Sequence, residues 1–155
     1  MKPQSELQIV NARTKIRPEK DNGDIKIFNP DGMSKPKPYS HVAFAKTQGL
    51  IFIAGQTPID ANGTLVGRGN FEAQCEQVFA NIHTALRAAN ADWGNVVQFT
   101  SYILRPEHTD AYRTWRAKVY PKMFPNGAYP PHTLLIISRL ADEAYWLEVQ
   151  TIAAL

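Results

Sequence analysis

The sequence predicts a single α+β domain in which two helices pack on one face of a mixed β-sheet. Three observations lead there. The chain has 155 residues, the usual size of one domain. Hydrophobic residues make up 44% and charged residues 20%, an ordinary globular balance. The apolar pattern runs strand, strand, strand, long helix, strand, helix, strand, strand, an order that suits helices on one side of a sheet.

Residues 1–24 are polar, with helix breakers at Pro18 and Gly23, and read as an irregular extension ahead of a domain over 25–155. Ile25-Lys26-Ile27-Phe28 alternates like a short strand. Asn29-Pro30-Asp31-Gly32 follows as a turn, because Pro fixes φ and Gly permits positive φ. Pro30, Pro36 and Pro38 then keep the chain extended up to Tyr39. Two apolar strands, about 41–45 and 50–54, are separated by Lys46-Thr47-Gln48-Gly49, a spacing that suits a hairpin. Asn62-Gly63 marks another turn.

The clearest helix spans about 70–90. Phe71, Cys75, Val78, Phe79, Ile82, Ala85, Leu86 and Ala89 form one stripe at helical spacing, Asn70 is the expected N-cap, and Glu72 lies near the positive end of the dipole. Residues 95–104 are rich in β-branched and aromatic side chains and read as a long strand. A second helix begins near Thr109 or Asp110, with Tyr112, Trp115, Val119 and Met123 as its inner face, and Pro121 should end or kink it. Two last strands are expected at about 133–138 and 145–153. Helices on one side leave the other face of the sheet open. Ile51-Phe52-Ile53 and Leu134-Leu135-Ile136-Ile137 make that face apolar, so association with further copies is expected to cover it.

Composition narrows the function classes. Apolar runs such as 133–138 are far too short for a membrane span, which takes roughly 20 residues. Met1-Lys2-Pro3-Gln4-Ser5-Glu6 has no apolar core, so no secretory signal is expected and a cytoplasmic location fits. A lone cysteine, Cys75, excludes an internal disulfide and any CxxC motif, and in its apolar stripe it reads as packed core. The net charge of +3 sits entirely in residues 1–37, which hold eight Lys/Arg and five Asp/Glu; the remainder has nine of each. A neutral body argues against a nucleic-acid face, which needs a clustered basic stripe.

Several segments, in order and spacing, resemble the RidA (YjgF) family. These are Asn29-Pro30-Asp31-Gly32 with Pro38-Tyr39-Ser40, and Ile53-Ala54-Gly55-Gln56-Thr57-Pro58-Ile59-Asp60. The helix around Gln77-Val78 and Asn81-Ile82, the strand Val96-Val97-Gln98-Phe99-Thr100, Pro130-Pro131-His132-Thr133 and Leu147-Glu148-Val149-Gln150-Thr151-Ile152-Ala153 complete the pattern. The similarity runs from about Ile25 to Leu155. It implies a chorismate-mutase-like fold assembled as a homotrimer, with three clefts between subunits. It also implies hydrolysis of reactive imines or enamines to keto compounds and ammonia without a cofactor. Mapped here, the family's site uses Tyr39, the backbone at Ala54 and Gly55, the position of His132 with neighbouring Thr133, and the carboxylate of Glu148.

The residues themselves fit such chemistry. Imine hydrolysis needs a held carboxylate, a placed water and a proton for the leaving nitrogen. Glu148 lies between Leu147 and Val149 in a strand and so projects to the opposite face from both, a candidate for proton transfer or, more plainly, an edge-strand ion pair. Tyr39 offers a phenol to substrate or water, or else anchors a Pro-rich loop. Gly55 either exposes backbone to a ligand or marks a bulge.

His132 departs from the pattern, since the family's deaminases carry arginine there. Arginine grips a carboxylate with a permanently charged fork; histidine is shorter and only partly protonated at neutral pH. It holds a carboxylate as imidazolium, acts as acid or base on a different substrate, or is non-catalytic in a diverged cleft. Gln150 replaces a second family glutamate, removing a charge from the sheet but not from the expected site. His41 either faces the cleft or, more plainly, is structural, and His83 and His108 show no metal spacing. Trp93, Trp115 and Trp146 read as packing residues.

Three function classes follow: an imine or enamine deaminase (a 2-aminomuconate-type activity would fit), a small-molecule-binding or chaperone-like protein, and, disfavoured by the neutral body, an RNA-cleaving translation inhibitor.

Overall fold

The computed structural model describes residues 25–34, 36 and 39–155; the expected extension over 1–24 and Pro38 of the proline stretch lie outside the described residues. The chain folds as β1 (Ile25–Phe28), β2 (Val42–Ala45), β3 (Leu50–Gln56), α1 (Phe71–Ala88), β4 (Val96–Ile103), α2 (His108–Met123), β5 (His132–Ile136) and β6 (Leu147–Ala154), with a 3-10 turn at Trp93–Asn95. The element order matches the expectation, and both helices lie on one side of a mixed sheet ordered β3-β6-β4-β5. β4 and β5 run parallel, and the other neighbours run antiparallel.

The expected hairpin between the second and third strands does not form. β2 pairs instead with β1 in a separate two-stranded sheet, Ile25 opposite Ala45 and Phe28 opposite Val42. β3 pairs with β6. The reason lies in the connecting turn, whose backbone groups are taken by the C-terminal residue. Leu155 N–H donates to Gly49 O at 3.0 Å, and Gln48 N–H donates to Leu155 O at 3.2 Å.

Helix α1 follows its stripe. Asn70 caps it by accepting from Ala73 N–H at 3.1 Å, and Phe71, Cys75, Val78, Phe79, Ile82 and Leu86 are buried. Gln74 is buried with them because its amide is fully used. It donates to Ala144 O at 2.8 Å and Gly67 O at 3.2 Å and accepts from Trp146 N–H at 2.8 Å, tying α1 to the loop before β6. Helix α2 starts one or two residues earlier than expected, at His108. Pro121 sits late enough that the helix runs only two residues beyond it. Tyr112 and Trp115 are buried as expected, but so are Arg116 and Tyr120, which fall at helical spacing from Tyr112.

The strands set the site. On β4, Phe99, Ser101 and Ile103 are buried toward the helices, whereas Thr100 and Tyr102 face the open side. On β6, Leu147, Val149 and Thr151 are buried, and Glu148 and Gln150 alternate to the open side as the sequence predicts. That helix-free side carries Leu50, Phe52 and Leu135 exposed, with Phe52 at 71%.

Candidate active site

Glu148 and Gly55 form one half of the predicted site. Glu148 stands opposite Tyr102 on β4, and its side chain crosses β6 to lie against the backbone of β3. A Cβ placed on Gly55 would meet Glu148 Oε1 at 1.8 Å, so the absent side chain at 55 is what admits the carboxylate. Here the register of β3 on β6 shifts between Ile53 and Gln56, the bulge that one reading of Gly55 expected. Glu148, Gly55, Tyr102, Arg139 and Gln150 line a cavity of about 330 Å³. Gln150, expected to lie outside the site, therefore borders it, two residues on from Glu148 along the same face. Ala54 is exposed beside Gly55, and its carbonyl accepts from Gln56 Nε2 at 3.0 Å. Thr133 is exposed and pairs with Thr100, on the same side of the sheet as Glu148.

His132 and Tyr39 form the other half. His132 pairs with Phe99, so its ring points toward α2. Its Nε2 lies 2.8 Å from Ser101 Oγ, and its Nδ1 lies 2.6 Å from Arg116 Nη1 and 3.2 Å from Tyr120 Oη. Ser101 Oγ continues the chain to Tyr112 Oη at 2.8 Å. An arginine only donates, so Nδ1 accepts and the proton of the neutral ring sits on Nε2, directed at Ser101. Burial, then the charge of Arg116, pushes the His132 pKa down from 6.5 to about 3. Both causes favour the neutral ring, which weighs against its holding a carboxylate as imidazolium. Tyr39, Arg113, Arg116, His132 and Leu134 line a cavity of about 290 Å³. It shares Tyr39 and Arg113 with a neighbouring cavity of about 680 Å³ that reaches Asn29 and Tyr129.

The two halves do not meet within one chain. Phe99 and Tyr102, the β4 partners of His132 and Glu148, point to opposite faces of the sheet. Sequence reasoning missed Arg116. The signal was present as Tyr112, Arg116 and Tyr120 spaced four apart on α2, but an arginine inside an apolar stripe reads as its solvated flank. Among the described residues, no group of three His, Cys, Asp or Glu side chains is placed to hold a metal ion. Nor is any described helix long and apolar enough to cross a membrane.

Residues 32–155 match the family model described as Endoribonuclease L-PSP. A RutC family protein of Synechocystis, slr0709, is 29% identical over 119 residues, covering 76% of this chain and 86% of that relative. Among solved structures, the Yersinia pestis protein YyfB of the conserved Rid family has a TM-score of 0.75 at 29% identity, over 85% of this chain and 99% of that one. RidA from an Antarctic Psychrobacter, at 24% identity and a TM-score of 0.59 over 79% of this chain and 92% of its own, shares the fold. The order of elements, the strand pairing and these matches agree, and the chain belongs to the RidA/YjgF (Endoribonuclease L-PSP) family.

Proposed function

We propose that the protein is a cofactor-independent deaminase that hydrolyses a reactive enamine or imine to a keto compound and ammonia, in a cleft where two copies of the chain meet. The observation that carries this reading is the Glu148 carboxylate set over bare backbone at Gly55 inside a cavity. There a proton-transfer group stands beside a floor without a side chain. A water oxygen bonds to the imine carbon while Glu148 takes the proton the water gives up and passes it to nitrogen. Glu148 then relays the hydroxyl proton to the amino nitrogen as the C–N bond breaks with its electron pair on nitrogen, so ammonia leaves and the carbonyl forms. Imine plus water balances to carbonyl plus ammonia; an enamine enters the same path after tautomerising.

A homotrimer is the assembly this reading expects. One copy supplies Glu148 and Gly55, and the next supplies Tyr39 and His132, because a single chain holds these pairs on opposite faces. The exposed Phe52, Leu50 and Leu135 give the helix-free face the apolar character such a contact needs.

The test is hydrolysis of 2-imino acids made in place by an amino-acid oxidase, with semicarbazide competing for the imine. Wild type accelerates loss of at least part of the panel. Glu148→Gln drops turnover by about 10²-fold or more, the usual contribution of a positioned acid–base. Undiminished turnover in that variant overturns the role. A second reading draws on one observation: both ring nitrogens of His132 are engaged by neighbours, which suits a cleft that binds without chemistry. Ligand-dependent thermal stabilisation with no product favours that reading. The family description names an endoribonuclease, but the nine-to-nine charge balance of residues 38–155 gives little basis for RNA affinity.

A further inference from the structure

Arg116 is a buried cation without a counter-ion. It is 4% exposed, and no Asp or Glu among the described residues forms an ion pair with it. The groups it contacts directly are uncharged. Nη1 bonds His132 Nδ1, and the guanidinium lies over the Tyr112 and Tyr120 rings at 4.8 and 5.6 Å. Its Nε is buried with no partner. Burying a charge and leaving it unpaired is costly, and such a group persists where something else supplies the missing charge. Arg116 borders the cavity that Tyr39, Arg113, His132 and Leu134 also line, so that charge has a place to arrive from solvent.

We propose that Arg116 binds a carboxylate of the substrate and that His132 is the residue that positions it. The grip on the anion thus comes from helix α2 and not from the strand position of His132. His132 suits this role because it adds no competing charge. It accepts from Nη1 and is itself fixed by Ser101, which Tyr112 fixes in turn. The ring and the Tyr120 hydroxyl hold one edge of the guanidinium, and Nε, buried without a partner, is left with the outer donors for an oxygen pair. The substrate class is therefore a small organic carboxylate, its body extending along Tyr39 toward Tyr129. This deepens the deaminase reading by naming what the cleft holds, but it can stand or fall separately.

The full-length protein is titrated with pyruvate and with pyruvamide, its uncharged analogue, following thermal stabilisation and calorimetric binding. Pyruvate binds in the millimolar range or tighter, and pyruvamide at least tenfold more weakly. Arg116→Lys weakens pyruvate tenfold or more because an ammonium lacks the fork. Arg116→Met abolishes pyruvate-dependent stabilisation while melting, without ligand, no lower than wild type, since it removes an unpaired buried charge. His132→Gln, whose carbonyl still accepts from Nη1, retains binding within about threefold, whereas His132→Leu loses it. Undiminished pyruvate binding by Arg116→Met, equal binding of pyruvamide, or no pyruvate binding by wild type at millimolar concentrations overturns the proposal. Pyruvate binding that depends on Arg116, in a protein that hydrolyses no imine, leaves the proposal standing and defeats the deaminase reading alone. Imine turnover with a KM indifferent to Arg116→Met does the reverse.

Discussion

Glu148 occupies the space that any side chain on Gly55 would fill: a Cβ there would come within 1.8 Å of its Oε1, 2.7 Å of its Cδ and 2.9 Å of its Cγ. All three contacts are with one flexible side chain and none with backbone, so the glycine serves the position of the carboxylate more than the stability of the fold. Gly55→Ala is therefore expected to cost about 1 kcal/mol or less in urea unfolding, below the usual overpacking penalty. It should also lower imine turnover at least tenfold by displacing Glu148. Wild-type turnover in Gly55→Ala would show that the carboxylate does not act from where it is seen.

His132 makes stability depend on pH with a definite sign. Its folded pKa, about 3, lies below its unfolded value near 6.5, because burial and Arg116 penalise the charged ring. Between those values the unfolded chain binds the extra proton, so stability rises with pH. The contribution is complete above about pH 6.5 and is lost progressively as pH falls toward 3. The slope from one such group approaches about 1.4 kcal/mol per pH unit. His108, also lowered by burial, acts in the same direction, so comparison with a variant isolates the effect. Denaturant melts from pH 7 to 4 should show a markedly shallower slope for His132→Gln. Parallel pH profiles for the two proteins would mean that the ring is not held neutral.

Much of the fold was legible in the sequence because it rests on periodicity. The α1 stripe, the Asn70 cap and the alternation that turns Glu148 away from Leu147 and Val149 are local patterns, and each appears where it was expected. The failures are non-local. Spacing alone made the segments now seen as β2 and β3 a hairpin, but Leu155, more than a hundred residues away, claims the connecting turn. The site fails to show for the same reason. Nothing near His132 in sequence reveals that its pKa is lowered, since the causes, burial first and then the charge of Arg116 on α2, are both set by the tertiary fold. Gln150 was expected to lie outside the site, whereas the period of the strand returns it to the cavity of Glu148.

Gln74 shows how a polar residue within an apolar stripe can be structural. Its three hydrogen bonds satisfy two loop carbonyls and the Trp146 N–H just before β6, and therefore set the point at which the strand bearing Glu148 begins. Gln74→Leu fills the same space but leaves Ala144 O and Trp146 N–H without that partner, whereas Gly67 O keeps Asn70 N–H. The expected cost is roughly 2–6 kcal/mol, about 1–3 for each of the two orphaned groups. Denaturant unfolding reads this directly, and a loss under 1 kcal/mol would mean that water replaces the amide.

Separation of the two half-sites on opposite faces of the sheet gives the sharpest test of assembly. Glu148→Gln removes the proton-transfer group from one face, and Tyr39→Ala removes a wall of the cavity on the other. Each homogeneous variant should be nearly inactive in imine hydrolysis. If every cleft takes Glu148 from one copy and Tyr39 from the next, co-refolding the two variants rebuilds some clefts that lack neither residue, and part of the activity returns. Adding Phe52→Glu to both chains places a charge on an apolar side chain that is 71% exposed in the single chain. A free surface tolerates that change, whereas a buried contact between copies does not. The doubly altered pair should therefore sediment as smaller species and recover nothing on mixing. Recovery despite Phe52→Glu would place the contact elsewhere on the sheet. Absence of recovery from the singly altered pair, with both variants still assembled, would mean that each cleft draws both residues from the same chain.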